Sequence, residues 1–254
     1  MPIIDSHIHI DTRPYEDFEK LAINLDCAIT MAHDPLKPYS MDIIRAHFDK
    51  ILYNEVQKAN KIGLKLFVCL GIHPRMIPAD VNYNILKEYL KNKDIVGVGE
   101  IGLEKCTKEE IEVFENQLIM AKELNLPAVV HTPRTNKYET TKTILEVIEG
   151  LNLNNNENII IEHCTKETIK MIYDTNLKMG LTVQPQKLTP LDVVDIVKQY
   201  GGERFLLNSD SSSAPSDILG APKTVLKMKI NNIDKEIIEM ISYNNAKEVF
   251  KLNI

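Results

Sequence analysis

The sequence has no tryptophan, and aromatic residues make up only 6% of its 254 residues. Lysine and arginine number 30 against 36 aspartate and glutamate residues, which gives a formal net charge of -6. The composition therefore lacks the overall basic character of many nucleic-acid-binding domains, and it gives no sign of a base-stacking platform for single strands. A polyanionic substrate would need a local positive patch or a bound metal to attract it.

Cysteine is also scarce, since the four cysteines lie far apart and form no CxxC pair. A reduced cysteine inside an apolar run behaves as a small hydrophobic residue. No apolar run approaches the roughly 18 residues of a membrane span. Asp5, His7 and His9 interrupt the apolar stretch that a signal peptide requires. We therefore expect a soluble cytoplasmic protein with reduced thiols.

Short apolar runs alternate with amphipathic segments along the whole chain. In one such segment Ile111, Phe114 and Leu118 recur at three- and four-residue steps, which predicts one buried face of a helix. Strands that alternate with helices predict a parallel sheet with right-handed crossovers. Eight such units predict an α/β protein with one (β/α)8 TIM barrel domain over residues 1–254. The eight runs are IIDSHIHI, CAITMAH, LKLFVCLGIHP, DIVGVGEIGL, LPAVVHTP, NIIIEHC, LKMGLTVQP and RFLLNSD.

A doubly wound open sheet is the structural alternative to the barrel. Such folds commonly carry a glycine-rich phosphate-binding turn directly after the first strand. No turn of this kind follows the first predicted strand here, so the barrel is the favoured prediction.

The first predicted strand carries polar residues at every second position: Asp5, His7 and His9. A strand that is buried on both faces normally reads as a continuous apolar run. Because side chains alternate across a strand, we expect these three residues to face the barrel interior. The isoleucines at even positions, Ile4 among them, are expected to face the helices.

Polar residues recur at the predicted carboxyl ends of the other strands, where TIM barrels place their active sites. Six of the seven histidines fall there, and only His47 lies in a helical pattern. His33 is either a substrate contact or a capped residue at a strand end. The strand-end residues are His7, His9, His33, His73, Glu100, His131, Glu162, His163 and Asp210.

Four histidines and two carboxylates form the pool of candidate metal ligands: His7, His9, His131, His163, Glu100 and Asp210. Imidazole and carboxylate ligands without a cysteine suit Zn, Mn, Mg, Fe, Ni or Co rather than thiolate chemistry. A single catalytic zinc typically takes three protein ligands, so this pool is too large for one ion. It fits two divalent metal ions per chain that share a bridging carboxylate.

These motifs resemble those of the TatD family of metal-dependent hydrolases, within the amidohydrolase-like barrels. The resemblance spans nearly the whole chain through DSHIHI, GIHP, GVGEIGLE, FENQLIMAKELNLPAVVH, IEHC and NSDSS. It implies a TIM barrel that acts as a phosphodiesterase or deoxyribonuclease. The ligand sets that it implies are His7, His9, Glu100 and Asp210 for one metal, and Glu100, His131 and His163 for the other.

Around the bridging carboxylate, Glu100, this ligand scheme gives other residues roles that follow from physical chemistry. Asp210 would orient or deprotonate the attacking water. His73, which is not a ligand in this scheme, would donate to a phosphoryl oxygen or to the leaving group. Arg75 and Arg134 are the candidate phosphate contacts in the loops. Lysine and arginine make up 30 of 254 residues, so a cation in a loop is weak evidence by itself.

The sequence departs from the family pattern in three places. Asn208 and Ser209 precede Asp210 where family members commonly read Glu-Thr-Asp, so the acidic neighbour of the metal ligand is absent. Glu104 replaces an aspartate after the Gly-Leu pair, and Thr165 stands where phenylalanine often follows His-Cys. These departures indicate a divergent branch of the family. The resemblance therefore predicts the fold of this chain better than its substrate.

Other functions remain as alternatives. An amidohydrolase that cleaves a cyclic amide, a lactone or another small ester would share the barrel, but such enzymes often bridge their metals with a modified lysine, where this chain has Glu100. Histidinol-phosphatase-like barrels also open with HxH but usually end in Asp-x-His, whereas three serines follow Asp210. A non-catalytic metal-binding or scaffold role is disfavoured, because six inward polar groups are costly to bury.

The expected partner is a phosphoester substrate, either a DNA end or a small nucleotide. The acidic net charge disfavours a long duplex unless the mouth of the barrel is locally positive. Neither a membrane nor an obligate protein partner is expected.

Overall fold

The computed structural model describes residues 1–33 and 39–254. In this part of the chain eight parallel strands pair in sequence order from β1 to β8 and alternate with helices. The predicted (β/α)8 barrel is confirmed. The strands are β1 (Ile4–Ile8), β2 (Cys27–Met31), β3 (Leu66–Leu70), β4 (Ile95–Gly102), β5 (Ala128–His131), β6 (Ile159–Ile161), β7 (Lys178–Thr182) and β8 (Phe205–Asn208).

Residues that follow β8 bring the last strand back to the first. The Asp210 amide donates to the His7 carbonyl at 2.9 Å, and the His9 amide donates to the Ser211 carbonyl at 2.8 Å. These bonds place the end of β8 beside the end of β1. The polar residues of both strand ends therefore meet.

Helices cover the outside of the sheet. The predicted amphipathic helix is α5, with Phe114 and Leu118 buried against the sheet and Thr107 accepting a hydrogen bond from the Glu110 amide at its start. The helices are α1 (Tyr15–Asn24), α2 (Met41–Asp49), α3 (Val56–Lys61), α4 (Tyr83–Leu90), α5 (Lys108–Leu124), α6 (Lys137–Gly150), α7 (Lys166–Ile172), α8 (Pro190–Tyr200), α9 (Gly220–Ile230), α10 (Lys235–Glu239) and α11 (Asn245–Val249). None of those formed by residues 1–33 and 39–254 has the length and apolar character that a bilayer crossing requires.

A β-bulge in β1 changes which of its side chains face inward. The register between β1 and β2 shifts between Asp5 and Ile8, so one extra residue interrupts the alternation of side chains. Ile4 packs in the barrel interior beside Leu206, and the expectation that it faces the helices is wrong. The Asp5 carboxylate accepts a hydrogen bond from the Ser209 amide at 3.0 Å, so it ties β1 to β8. Ile8 packs on the helix side, as expected.

A second bulge lies in β4, where the register with β5 shifts between Val98 and Ile101. Val98 and Ile101 both pack in the outer core against the helices. The extra residue lets Glu100, between them, reach the histidines of the barrel interior.

The amino-terminal half of the barrel interior is an apolar cluster that we call the lower core. Side chains from the strands meet residues of α11 and the chain end there, and every buried member is at most 5% exposed. Its main members are Ile4, Cys27, Ile29, Met31, Cys69, Val129, Ile160, Leu206, Ala246, Val249, Phe250 and Leu252. The lower core closes the barrel below the polar strand ends.

Candidate metal centre

The structure brings all six predicted ligands together at the carboxyl ends of the strands. Each is buried, with at most 7% of its surface exposed. Glu100 lies within β4, His131 ends β5, and the other four lie in or just after β1, β6 and β8. The six residues are His7, His9, Glu100, His131, His163 and Asp210.

One group of ligand atoms surrounds one oxygen of the Glu100 carboxylate. The Nε2 atoms of His7 and His9 lie 3.3 Å apart, and each is 3.5 Å from Glu100 Oε2. Asp210 Oδ1 completes the group at 3.1 Å from His9 Nε2 and 3.8 Å from His7 Nε2. We call these four residues the first ligand group.

A second group surrounds the other oxygen of the same carboxylate. His131 Nδ1 lies 2.9 Å and His163 Nε2 lies 3.0 Å from Glu100 Oε1. We call Glu100, His131 and His163 the second ligand group. Each oxygen of Glu100 therefore faces a different ligand group. The imidazole and carboxylate donors of both groups suit a borderline divalent metal.

In three of the four ligand histidines, the ring nitrogen that does not face Glu100 has a partner of its own. Such partners fix the tautomer and orientation of a ligating imidazole. The pairs are His9 Nδ1 with the Met31 carbonyl at 3.1 Å, His163 Nδ1 with the Thr182 hydroxyl at 2.9 Å, and His131 Nε2 with the Glu104 carboxylate at 2.9 Å. Met31 and Thr182 were not foreseen from the sequence, because neither belongs to a motif.

The two carboxylate ligands are held in the ionised form. Burial alone would raise the pKa of Glu100, but the surrounding histidines, His7 foremost, hold that pKa well below its usual range. Burial opposes ionisation of Asp210 as well, yet the Lys187 ammonium and nearby histidines hold the Asp210 pKa well below its usual range. An ionised carboxylate is the form that binds a metal.

Two donors that the sequence analysis did not assign fix the second oxygen of Asp210. Gln184 Nε2 and Lys187 Nζ each donate to Asp210 Oδ2 at 2.6 Å. Asp210 also has a left-handed backbone with φ 46°, as does His163 with φ 58°. Non-glycine residues in this region cost about 1–3 kcal/mol and cluster at active sites. The orientation of Asp210 is therefore set by its side-chain partners and by its backbone.

His73 lies beside the second group and has a free donor. Its Nδ1 accepts from the Arg75 amide at 3.1 Å, so its Nε2 carries the ring proton. Burial, with the neighbouring His131, holds the pKa of His73 well below its usual range, so the ring is neutral. His73 Nε2 lies 3.8 Å from Glu100 Oε2 and has no hydrogen-bond partner among the described residues. This N–H group is suited to donate to a substrate.

His33 belongs to a separate network at the edge of the centre. Its Nε2 lies 3.0 Å from Asp11 Oδ1, and its amide donates to His47 Nε2 at 3.2 Å. The lone pair of His47 Nε2 is thus occupied, and His47 Nδ1, which carries the proton, cannot bind a metal. Burial lowers the pKa of His47 to about 3 despite the nearby Asp11 carboxylate. We interpret Asp11, His33 and His47 as a hydrogen-bonded network rather than a third metal site.

A cavity of about 640 Å³ opens over the ligand groups. Arg75 and Arg134, the two predicted phosphate contacts, both line it, together with Lys50 and Lys187. Arg134 Nη1 also donates to Gln186 Oε1 at 3.2 Å. No phenylalanine, tyrosine or tryptophan lines the cavity among the described residues. The lining also holds the carboxylates of Asp11, Glu100, Glu104 and Asp210, so positive and negative groups lie side by side in the cavity.

Comparison with known proteins gives one family. The family model described as TatD related DNase matches residues 4–251. An uncharacterized metal-dependent hydrolase of Methanocaldococcus jannaschii is 37% identical over 254 residues, which cover 98% of this chain and 100% of that protein. The 3'-5' ssDNA/RNA exonuclease TatD of Pantoea ananatis is 25% identical over 208 residues, which cover 72% of this chain and 76% of that protein.

A solved structure has the same architecture over the whole chain. The crystal structure of a TatD-like protein from Archaeoglobus fulgidus superposes with a TM-score of 0.82 at 32% sequence identity. The match covers 98% of this chain and 100% of that one. The barrel and the order of its elements are therefore shared along the full length of both chains.

Proposed function

We propose that this chain, which belongs to the TatD related DNase family of metal-dependent hydrolases, hydrolyses phosphodiester bonds with two divalent metal ions. The observation that carries the proposal is the position of Glu100 between the two ligand groups. Its Oε2 faces His7 and His9, and its Oε1 faces His131 and His163. A shared carboxylate between two sets of ligands is the arrangement that a two-metal hydrolase requires.

When bound, two such ions stabilise charge on the attacking and leaving oxygens of a phosphoryl group and lower the pKa of water. The chain itself supplies proton transfer and orientation. Asp210 places Oδ1 beside the Nε2 atoms of His7 and His9, where it can orient the attacking water and accept its proton, while Gln184 and Lys187 hold Oδ2 in place. His73 offers its Nε2 proton to a phosphoryl oxygen or to the leaving group.

The cations in the cavity support a phosphoester, rather than a cyclic amide or a lactone, as the substrate. Lys50, Arg75, Arg134 and Lys187 line the cavity above the ligand groups, and cations of this kind bind phosphate oxygens. The described lining has no phenylalanine, tyrosine or tryptophan on which a base could stack. We therefore propose a DNA end or a small nucleotide as the substrate. The protein would recognise its phosphate groups and show little preference for the identity of the base. The name of the Pantoea ananatis relative, a single-strand exonuclease, supports this choice.

The test is cleavage of a short single-stranded DNA labelled at one end, in the presence of Mn²⁺ or Mg²⁺. We expect metal-dependent cleavage that falls at least about a hundredfold in His131→Ala, which lacks one ligand of the second group. The variant purified in parallel is the control for contaminating nuclease.

Equal cleavage by both proteins would identify a contaminant and contradict the proposal. If the wild-type protein cleaved neither DNA, nor dinucleotides, nor a chromogenic phosphodiester, a phosphodiester substrate would be excluded. The assignment to a family of metal-dependent hydrolases would still stand. Cyclic amides and lactones would then be the next substrates to assay.

A further inference from the structure

Glu162 is a buried carboxylate that the proposed reaction does not use. Glu162 is the first residue after β6, and it is 1% exposed. Its Oε1 lies 3.5 Å from Nδ1 of His7, and neither atom has a hydrogen-bond partner among the described residues. A buried polar atom without a partner costs about 1–3 kcal/mol. Two such atoms that face each other form a hydrogen bond after a shift of a few tenths of an ångström.

The neighbouring strands hold the Glu162 carboxylate in this position. Asn208, at the end of β8, donates from Nδ2 to Glu162 Oε2 at 2.8 Å. On β7, Gly180 leaves the space that the carboxylate fills, because a Cβ atom at position 180 would overlap the Glu162 carboxylate. One oxygen of Glu162 is therefore anchored, and the other faces His7.

His7 is the ligating histidine that still needs such a partner. His9, His131 and His163 each use their second nitrogen to contact a carbonyl, a carboxylate or a hydroxyl. Among the described residues, the second nitrogen of His7 faces the Glu162 carboxylate, at 3.5 Å. Glu162 lies on the Nδ1 side of the His7 ring, away from the Nε2 atoms of the first ligand group, so Glu162 itself is not placed to be a ligand.

We propose that Glu162 is the positioning residue of the first metal site. It accepts the Nδ1 proton of His7 and thereby directs the Nε2 lone pair of His7 towards the ion that His9 and Asp210 share. A carboxylate behind a ligating histidine fixes the tautomer and increases the basicity of the ligand, and its loss typically reduces metal affinity about 10- to 100-fold. This inference rests on the two-metal centre of the proposed function.

The test measures metal binding rather than catalysis. Zn²⁺ or Co²⁺ is titrated into metal-free protein, with a chromophoric chelator as competitor and the visible absorption of Co²⁺ as a second signal. We expect two ions in the wild-type protein, and one of them bound about 10- to 100-fold more weakly in Glu162→Gln.

Background variants assign the weakened ion to a site. In His131→Ala, which retains the first ligand group, Glu162→Gln should lower the affinity of the remaining ion by the same factor. In His9→Ala, which retains the second group, Glu162→Gln should change the affinity less than twofold. Glu104→Gln, which removes the carboxylate behind His131, is the matched control and should show the opposite dependence on background.

Glu162→Asp distinguishes a positioning role of Glu162 from a purely electrostatic one. It also replaces Glu162→Gln in the test if the glutamine variant does not fold. It keeps the negative charge but withdraws it from His7 by one methylene, so a positioning role predicts weaker binding and a purely electrostatic role predicts wild-type affinity. Two ions bound by the wild type with unchanged affinity in Glu162→Gln, or an equal loss in both backgrounds, would overturn this inference alone. A wild-type protein that binds no divalent ion would overturn the proposed function and this inference together.

Discussion

The two halves of the barrel interior lie on the same strands but differ in chemistry. The lower core is apolar, and the strand ends two residues further along carry imidazole, carboxylate and amide groups. Burial does not distinguish the halves, because the residues compared are at most 6% exposed. The steps from lower core to strand end are Val129 to His131, Ile160 to Glu162 and Leu206 to Asn208.

The two halves of the barrel also differ in how many buried polar atoms lack a hydrogen-bond partner, which affects the stability of the fold. Among the described residues seven buried side-chain polar atoms lack a hydrogen-bond partner, and only that of Thr141 belongs to a helix on the outside of the barrel. The others belong to Asp5, His7, His73, Glu162, Gln184 and Asn208. Buried polar groups without partners reduce stability. The lower core therefore stabilises the fold, while the polar half contains buried polar atoms that reduce its stability.

The largest effect is expected from a change at the bridge of the polar half. Glu100→Gln removes the charge that both ligand groups share, and several kcal/mol of transition-state stabilisation should be lost with it, which corresponds to about a thousandfold in kcat/KM. Stabilisation by metal should be lost as well. In the wild-type protein it should reach about 2.7 kcal/mol at a metal concentration 100 times Kd, measured as the difference between denaturant curves with metal and with chelator.

The control for this prediction is the metal-free protein, in which Glu100→Gln must still give a cooperative unfolding transition. A variant that kept the metal-dependent increase in stability would show that the bridge does not hold the ions. Metal binding in the polar half of the barrel would then not depend on Glu100.

A change in the lower core should have the converse result. Leu206→Ala removes a fully buried side chain and should lower the free energy of unfolding by about 3 kcal/mol, since the cavity does not collapse fully. The stabilisation by metal and the value of kcat should stay at wild-type levels. Denaturant curves with and without metal check both statements, and a loss of metal affinity in Leu206→Ala would show that the two halves are coupled.

The barrel and its ligand pool could be predicted because both follow local patterns. Apolar runs of strand length mark the eight strands, and the carboxyl end of each strand is the known place for polar groups. Glu100 was found in this way, although its inward position depends on a bulge that the sequence does not announce. The same limitation explains the error at Ile4, where one extra residue in β1 reversed the expected direction.

The partners of the ligands could not be predicted, because they are brought together by the closure of the barrel. Asn208 donates to Glu162, 46 residues earlier in the chain, and Gln184 donates to Asp210, 26 residues later. Neither pair has a spacing that a helix or a strand would impose. From the sequence, Asn208 was only a departure from the family pattern; in the structure it holds the carboxylate behind His7.

The smallest effect concerns pH at the edge of the polar half. The buried His47 has a pKa of about 3 in the folded chain, below the ordinary value of 6.5. A histidine whose folded pKa is depressed contributes its full stability above pH 6.5 and loses it as the pH falls towards 3, by about 1 kcal/mol per pH unit. His47→Gln retains an acceptor for the His33 amide but cannot be protonated. Its free energy of unfolding should therefore fall less steeply than that of the wild type between pH 6.5 and 4.5.

Urea unfolding in chelator, so that no metal contributes, measures both slopes. Leu206→Ala is the matched comparison, because a loss in the lower core should lower the whole curve without changing its slope. Equal slopes for the wild type and His47→Gln would mean that His47 is protonated as easily in the folded chain as in the unfolded one. Acid sensitivity would then arise from other groups, and the Asp11, His33 and His47 network would not belong to the part of the barrel whose stability depends on its protonation state.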